Sequence, residues 1–331
     1  MMKRFLVGLS AAIVVAAMFL GGGQAWAQKK VAWVLPGTIN DEGFNQSGYE
    51  ALMRLKKMGV KVAFSENTPP PKFVSTLSNY AAQGYDVVVG QGFEFGDPIM
   101  KVAPKYPKTK FINIVGIVNR DGKQKNVRVL QIASNESAYV AGALAGLMTK
   151  TNRLGVIGGF PFPSIVSQLE AFRLGARAVN PKSKTNIVYI SSFEDLSKAK
   201  EAALAQISAG ADVLYHVADH AGLAIVRAAQ EKGVMAIGNG LDQYAVAPKA
   251  IIVTQLVDYG GTAVDTITNY FKNGTFDPGL HVYPMRVGGV TDLSAFHNNV
   301  PKSIQERVLK IRDDIIKGKI KVPFIPKPQK N

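Results

Sequence analysis

Phe44 stands among short amide side chains, Asn40, Asn45 and Gln46, within the run Gly37-Thr-Ile-Asn-Asp-Glu-Gly-Phe-Asn-Gln-Ser-Gly-Tyr49. An aromatic face flanked by amides suits stacking on, and hydrogen bonding to, a flat polar ring. The run follows an apolar strand, Val31–Leu35, and opens an apolar-periodic helix. It therefore sits at a strand's carboxyl end, where open parallel α/β sheets hold small ligands. It does not carry the groups needed to do chemistry on such a ring.

A second aromatic group, Phe160 and Phe162 in Gly158-Gly-Phe-Pro-Phe-Pro163, follows another strand and is placed to oppose Phe44 across a cleft, or else to staple the helix that follows. His216, Asp219 and His220 cluster at a further strand end. Histidines four apart can hold zinc on a helix. Here they straddle a strand end and a loop without a second ligand cluster, so hydrogen bonding to a ligand is expected and no metal. Asn239 and Asp258 end two later strands and join the candidate ligand-binding set.

Enzyme signatures are missing. The chain has no GxGxxG at its first strand-to-helix turn, no GxxxxGK[ST] and no GxSxG. Glu194-Asp195 and Asp313-Asp314 are sequence neighbours that point to different sides of a helix. Asp41-Glu42 lies nearer the cleft but has no partner base, which leaves glycoside or nucleoside hydrolysis a poor fit. A binding protein without catalytic residues or cofactor is expected.

These residues need a scaffold of repeated strand–helix units. Strands are expected at Val31–Leu35, Val60–Phe64, Val87–Val89, Phe111–Val115, Val127–Ile132, Leu154–Ile157, Ile187–Ile190, Val213–His216, Val234–Ile237 and Ile251–Leu256. Helices are expected at Gln46–Met58, Val74–Gln83, Asp97–Tyr106, Ser137–Thr149, Ser164–Val179, Leu196–Ala209 and Ala221–Lys232. Gly84, Gly210 and Gly233 fall where helices want a left-handed final residue. Such alternation predicts parallel sheets with right-handed crossovers. The segments AAQGYDVVVGQGFEFGDPI and ISAGADVLYHVADHAGLAI share one layout, so two similar lobes are expected. The tail from Val322 reads as an extended terminal segment.

The ends and composition narrow the setting. Lys3 and Arg4, the apolar stretch Phe5–Leu20, and Ala25-Trp26-Ala27 read as a cleavable export signal over residues 1–27. The apolar stretch is short for a membrane span, which takes about 20 residues. The absence of cysteine excludes disulfides, thiolate metal sites, a cysteine nucleophile and a lipid anchor on cysteine. The whole chain carries a net charge of +15, yet its lysines are scattered, which reads as a solvated basic surface rather than a nucleic-acid site. A free periplasmic monomer is the expected form.

At this point GTINDEGFNQSGYEAL resembles the D-x-x-FNQ-x-x-x-x-G/A-L opening of the basic membrane protein family, substrate-binding proteins of ABC importers that include purine nucleoside receptors. GYDVVVGQGFEFGD, KYPKTKF, SNESAYVAGALAGLMTKTNRLGVIGGFPFP, GADVLYHVADHAG, GNGLDQ and TQLVDYGG follow in the family's order. The resemblance implies a type I periplasmic-binding-protein fold, two Rossmann-like lobes joined by three crossover strands, with an ABC permease as partner. The expected division is 28–132 plus 240–282 for lobe one, and 133–239 plus 283–331 for lobe two. By position, Phe44 is the stacking aromatic and Asn45 its polar neighbour.

Three departures from the nucleoside-binding members stand out. Val115 occupies the place of the acid that meets the purine edge. Gly240 and Asp258 replace the Asp and Lys on the ribose side. GGFPFP, HVADH and LVD resemble a branch that binds free bases. The expected ligand is a purine base or similar small planar heterocycle; a nucleoside, or a ligand-binding role in a sensor system, is the alternative.

Overall fold

Strand β1 (Lys30–Val34) shows why the chain builds layers. Its side chains alternate, so Val31 and Trp33 enter one core while Ala32 and Val34 enter another, and all four are fully buried. A strand apolar on both faces belongs in a parallel sheet covered on both sides. The computed structural model, which describes Trp26, residues 28–298 and residues 300–329, contains two such sheets. Apart from Trp26, the expected export signal lies outside the described residues.

The first sheet joins β1 to β2 (Lys61–Ser65), β3 (Val87–Gln91), β4 (Lys110–Ile114), β5 (Val127–Ile132) and β11 (Gly279–Tyr283). Their order is β11-β5-β4-β3-β1-β2, with every pair parallel. Helices α1 (Phe44–Lys57) and α8 (Gly261–Asn273) cover one face through Leu52, Leu55, Ala263 and Ile267. On the other face, α2 (Phe73–Ala82) and α3 (Gly96–Val102) pack Phe73, Leu77 and Ile99.

The second sheet is built from β6 (Arg153–Gly158), β7 (Lys184–Tyr189), β8 (Val213–Val217), β9 (Met235–Gly240), β10 (Ile251–Val257) and β12 (Thr291–Leu293). Its order is β12-β10-β9-β8-β6-β7, and only the edge strand β12 runs antiparallel to its neighbour. One face carries α4 (Ser134–Met148), α5 (Pro163–Val179) and α9 (Lys302–Ile316); the other carries α6 (Leu196–Ser208) and α7 (Asp219–Lys232). Helices α4 and α5 approach until backbones touch. A Cβ on Gly142 would lie 1.9 Å from the Phe172 carbonyl oxygen, and one on Gly175 would lie 1.9 Å from that of Tyr139.

The chain passes between the sheets after β5, after β10 and between β11 and β12. These are the three crossings of a two-lobed binding-protein fold. One expectation is corrected. The expectation places residues 240–282 in lobe one; α8 and β11 do belong with the first sheet, but β10 pairs with β9 (Gln255 opposite Asn239) in the second. The link between them holds one 3-10 turn, Tyr244–Val246, where a parallel pair usually carries a helix, so the sequence shows no strand–helix–strand unit there. Elements α8, β11, β12 and α9 add to those expected. Helix α3 also stops at Val102 and continues as a 3-10 turn at Ala103–Lys105, because Pro104 cannot extend it.

The tail runs along the second lobe without regular structure. Asn135 Nδ2 donates to the carbonyls of Val322 and Pro323, and the Ile325 and Gln329 amides donate to Ser167 Oγ and Glu170 Oε1. Among the described residues no helix is long and apolar enough to cross a membrane.

Candidate functional site

The carboxyl ends of both sheets face one another across a cavity. Lobe one contributes Pro36 after β1, Phe44 at the start of α1, Gly92-Phe93-Glu94 after β3 and Val115 after β4. Lobe two contributes Phe162, Ser164, Ile165 and Gln168 around the start of α5, Phe193 after β7, and Val217 and Asp219 where β8 meets α7. Tyr259, on the crossing after β10, completes it.

Phe44 is held by the loop before it. Asp41 is fully buried, and its carboxylate accepts from the backbone amides of Gly43, Asn45 and Gln46 at 2.7–3.0 Å and from Asn45 Nδ2 at 2.8 Å. Burial raises its pKa above the ordinary carboxylate value, and these four hydrogen bonds oppose that shift. Asn45 Oδ1 accepts from the Gly37 amide at 3.1 Å. Gln91, itself accepting from Trp33 Nε1 at 2.8 Å, donates to the Phe44 carbonyl. The first turn of α1 is thus clamped from both sides while the Phe44 ring projects into the cavity.

The rings form a broken box. Phe44 meets Tyr259 edge to face, with centroids 4.7 Å apart and planes at 82°. Phe93 of lobe one lies 5.4 Å from Phe162 of lobe two. Phe193 lies 6.1 Å from Phe162. The lobes also touch at one edge, where Gln243 Nε2 donates to the Glu42 carbonyl at 3.3 Å. A Cβ on Gly240 would come within 3.0 Å of the Gly43 Cα. This is a closed arrangement.

The cavity's charge opposes that of the chain. Among the described residues no Lys, Arg or His lines it, while Glu94 and Asp219 do. Burial raises Glu94 to about 7. Asp219 is pushed well above its ordinary value by burial, then by the nearby carboxylates Asp41, Glu94 and Glu194. Tyr259 is also raised by burial and by Asp219. Asp219 and Val115 hold positive φ, 46° and 56°, conformations that side-chain-bearing residues rarely adopt.

The structure separates the expected site residues. Phe44, Phe162 and Asp219 line the cavity. Phe160 does not line it; its ring is stacked on Phe162 at 5.5 Å and tilted against Phe193 at 5.1 Å. Asn45 is a buried loop anchor, and Asn40 is exposed. His216 is buried beneath α7, where Gly222 leaves room for its ring. Its Nε2 pairs with Gln243 Oε1 at 2.9 Å, its Nδ1 has no partner, and burial lowers its pKa to about 4. It is a neutral core residue, not a cavity residue. His220 turns instead to Glu194, at 3.0 Å, and no group of His, Cys, Asp or Glu among the described residues could hold a metal ion.

Asn239 donates to Gln255 Oε1 at 2.8 Å, and Gln255 in turn donates to the Ser134 carbonyl and Ser137 Oγ. It belongs to a buried network tying β9, β10 and α4 together. Asp258 accepts from the Gly261 amide at 2.7 Å, capping α8, and opens onto a separate groove beside Arg54. Glu94, Phe93, Gln168, Phe193 and Tyr259 line the cavity without being singled out by the sequence reading. Glu94 and Tyr259 stand just past the ends of β3 and β10, so the carboxyl-end rule that singles out Phe44 would have found both.

Two Rossmann-like lobes, three crossings and an aromatic-lined cavity at the strand ends define a two-lobed binding protein. A model of the Bmp family, described as ABC transporter substrate-binding protein PnrA-like, matches residues 28–325, and the chain belongs to that family. It is 32% identical to the ABC transporter nucleoside-binding protein BmpA of Lactococcus lactis, over 97% of this chain and 99% of that protein. A solute-binding protein of an ABC transporter system from Conexibacter woesei shares 26% identity at a TM-score of 0.70, covering 89% of this chain and 99% of that one. Another from Aeropyrum pernix superposes at a TM-score of 0.80 with 21% identity, over 89% and 94% of the two chains, and speaks to the fold alone.

Proposed function

We propose that the protein is an exported solute-binding component of an ABC importer that closes on a purine base, or a similar small planar heterocycle, and delivers it unaltered to its permease. The observation that carries this is the aromatic box, with Phe44 and Phe93 from one lobe, Phe162 and Phe193 from the other and Tyr259 at the crossing. A micromolar ligand needs about −8 kcal/mol, or roughly 0.8 kcal/mol per atom for about ten heavy atoms, inside the ceiling of about 1.5 for small ligands. Near-complete burial between two lobes gives such efficiency, and stacking adds about 1–3 kcal/mol per base.

The Lactococcus relative's name makes a nucleoside the second reading. The sugar-side positions weigh against it. Gly240 packs on Gly43, and Asp258 caps α8 outside the cavity. The periplasm is the proposed site of action. Mass spectrometry of small molecules released by denaturing the purified protein tests the reading. A purine base is expected; a nucleoside with its sugar intact, or a non-aromatic solute, would count against it.

A further inference from the structure

Glu94 and Asp219 approach the cavity from opposite lobes, one just past β3 and the other opening α7. Among the described residues neither forms an ion pair, and neither is hydrogen-bonded to another side chain. The other titratable groups around them are Asp41 on the α1 loop, Glu194 and His220 beside α7, and Tyr259 on the crossing. None is a lysine or arginine. The cavity wall at Val115 is apolar. Acceptors thus stand on two sides of an aromatic box, and no cation satisfies them from within the protein. Both carboxyls are part-buried and held toward their protonated form; donors on a ligand favour the ionised, accepting form, so the ligand is what completes them.

Resting on the base-binding reading above, we infer that Glu94 and Asp219 act as a pair of specificity residues, one per lobe, that accept from N–H groups on two edges of the bound ring. The site then selects neutral or cationic heterocycles rich in ring N–H and amino donors. It rejects rings that present carbonyl acceptors and negative charge. The two carboxyls also couple closure to recognition, because only a ligand offering donors to both lobes satisfies both when the cleft shuts.

The test is calorimetry with 2,6-diaminopurine and adenine against xanthine and urate, on the full mature chain and on the variants Glu94→Gln and Asp219→Asn. Benzamidine and benzoate, a planar cation and a planar anion, are run alongside by thermal shift. The amino-substituted purines should bind about tenfold or more tighter than urate, a difference in the range of a charge-assisted hydrogen bond. Each variant should narrow that ratio, whereas loss of a merely structural residue would weaken all four purines alike. Binding of purines regardless of edge chemistry, or a ratio unchanged in both variants, would overturn the acid pair and leave the base reading standing. Failure of every purine, with benzamidine raising the melting midpoint and benzoate not, would do the reverse. Failure of both series would overturn both.

Discussion

The Phe44 ring presents its face or edge to Tyr259 at 4.7 Å and 82°, joining the first helix of lobe one to the crossing that follows the second sheet. A side chain on the helix and one on a crossing segment therefore meet within the cavity wall. Opening the cleft would change the angle between lobes at this crossing, so the aromatic wall and the moving part of the molecule are neighbours.

Phe44→Ala should weaken base binding at least about tenfold, the order expected from losing one stacking face. The loop anchors Asp41 and Asn45 bond through groups the substitution leaves in place, so the fold should survive. Calorimetry with parallel thermal unfolding checks this, and an unchanged dissociation constant would remove Phe44 from the site.

Glu94 gives a pH signature. Its folded pKa, about 7, stands above the ordinary 4.5, so the native state holds the proton more tightly than the unfolded chain. Its contribution to stability is fully present below the ordinary value and is lost as pH rises through about 7. Glu94→Gln should remove this dependence. The variant's unfolding free energy should gain on that of the unliganded parent as pH rises across that window, by at most about 3 kcal/mol. Parallel pH profiles in the two proteins would contradict it.

Gly240 has φ 96° and lies against Gly43 of the other lobe. Gly240→Ala should strain its own turn and obstruct the closed contact. Weaker binding and a smaller ligand-induced contraction in small-angle scattering are expected, with each lobe still folded.

The α4–α5 contact is a stability element remote from the cavity. Gly142→Ala would drive a methyl into the Phe172 carbonyl, and overpacking of this kind costs about 1–3 kcal/mol, occasionally more. Chemical denaturation should show the loss, while affinity of the folded protein stays near that of the parent.

Much of the layered fold is legible in residue order, because strands buried on both faces are apolar runs and the intervening helices end at Gly84, Gly210 and Gly233, all with positive φ. The lobe assignment of β10 is not legible, since pairing partners in a parallel sheet are set by tertiary packing and its link to β9 lacks a helix. The site divides along similar lines. Phe44 follows from its place after β1. His216 and Asn239 are polar residues at strand ends, and sequence cannot distinguish one facing a cavity from one satisfied inside the core. Here Gln243 and Gln255, distant in sequence from His216, supply the internal partners. Asn45 likewise serves the backbone around Gly37 and Asp41, a local role that amide composition alone does not separate from ligand contact.

Paired isothermal titrations of adenine against adenosine and hypoxanthine against inosine test the central claim most directly. The aromatic box, with Gly240 pressed on Gly43 and Asp258 turned outward, predicts saturable one-to-one binding of at least one base and weaker binding of every nucleoside. Tighter binding of any nucleoside than of both bases would contradict it.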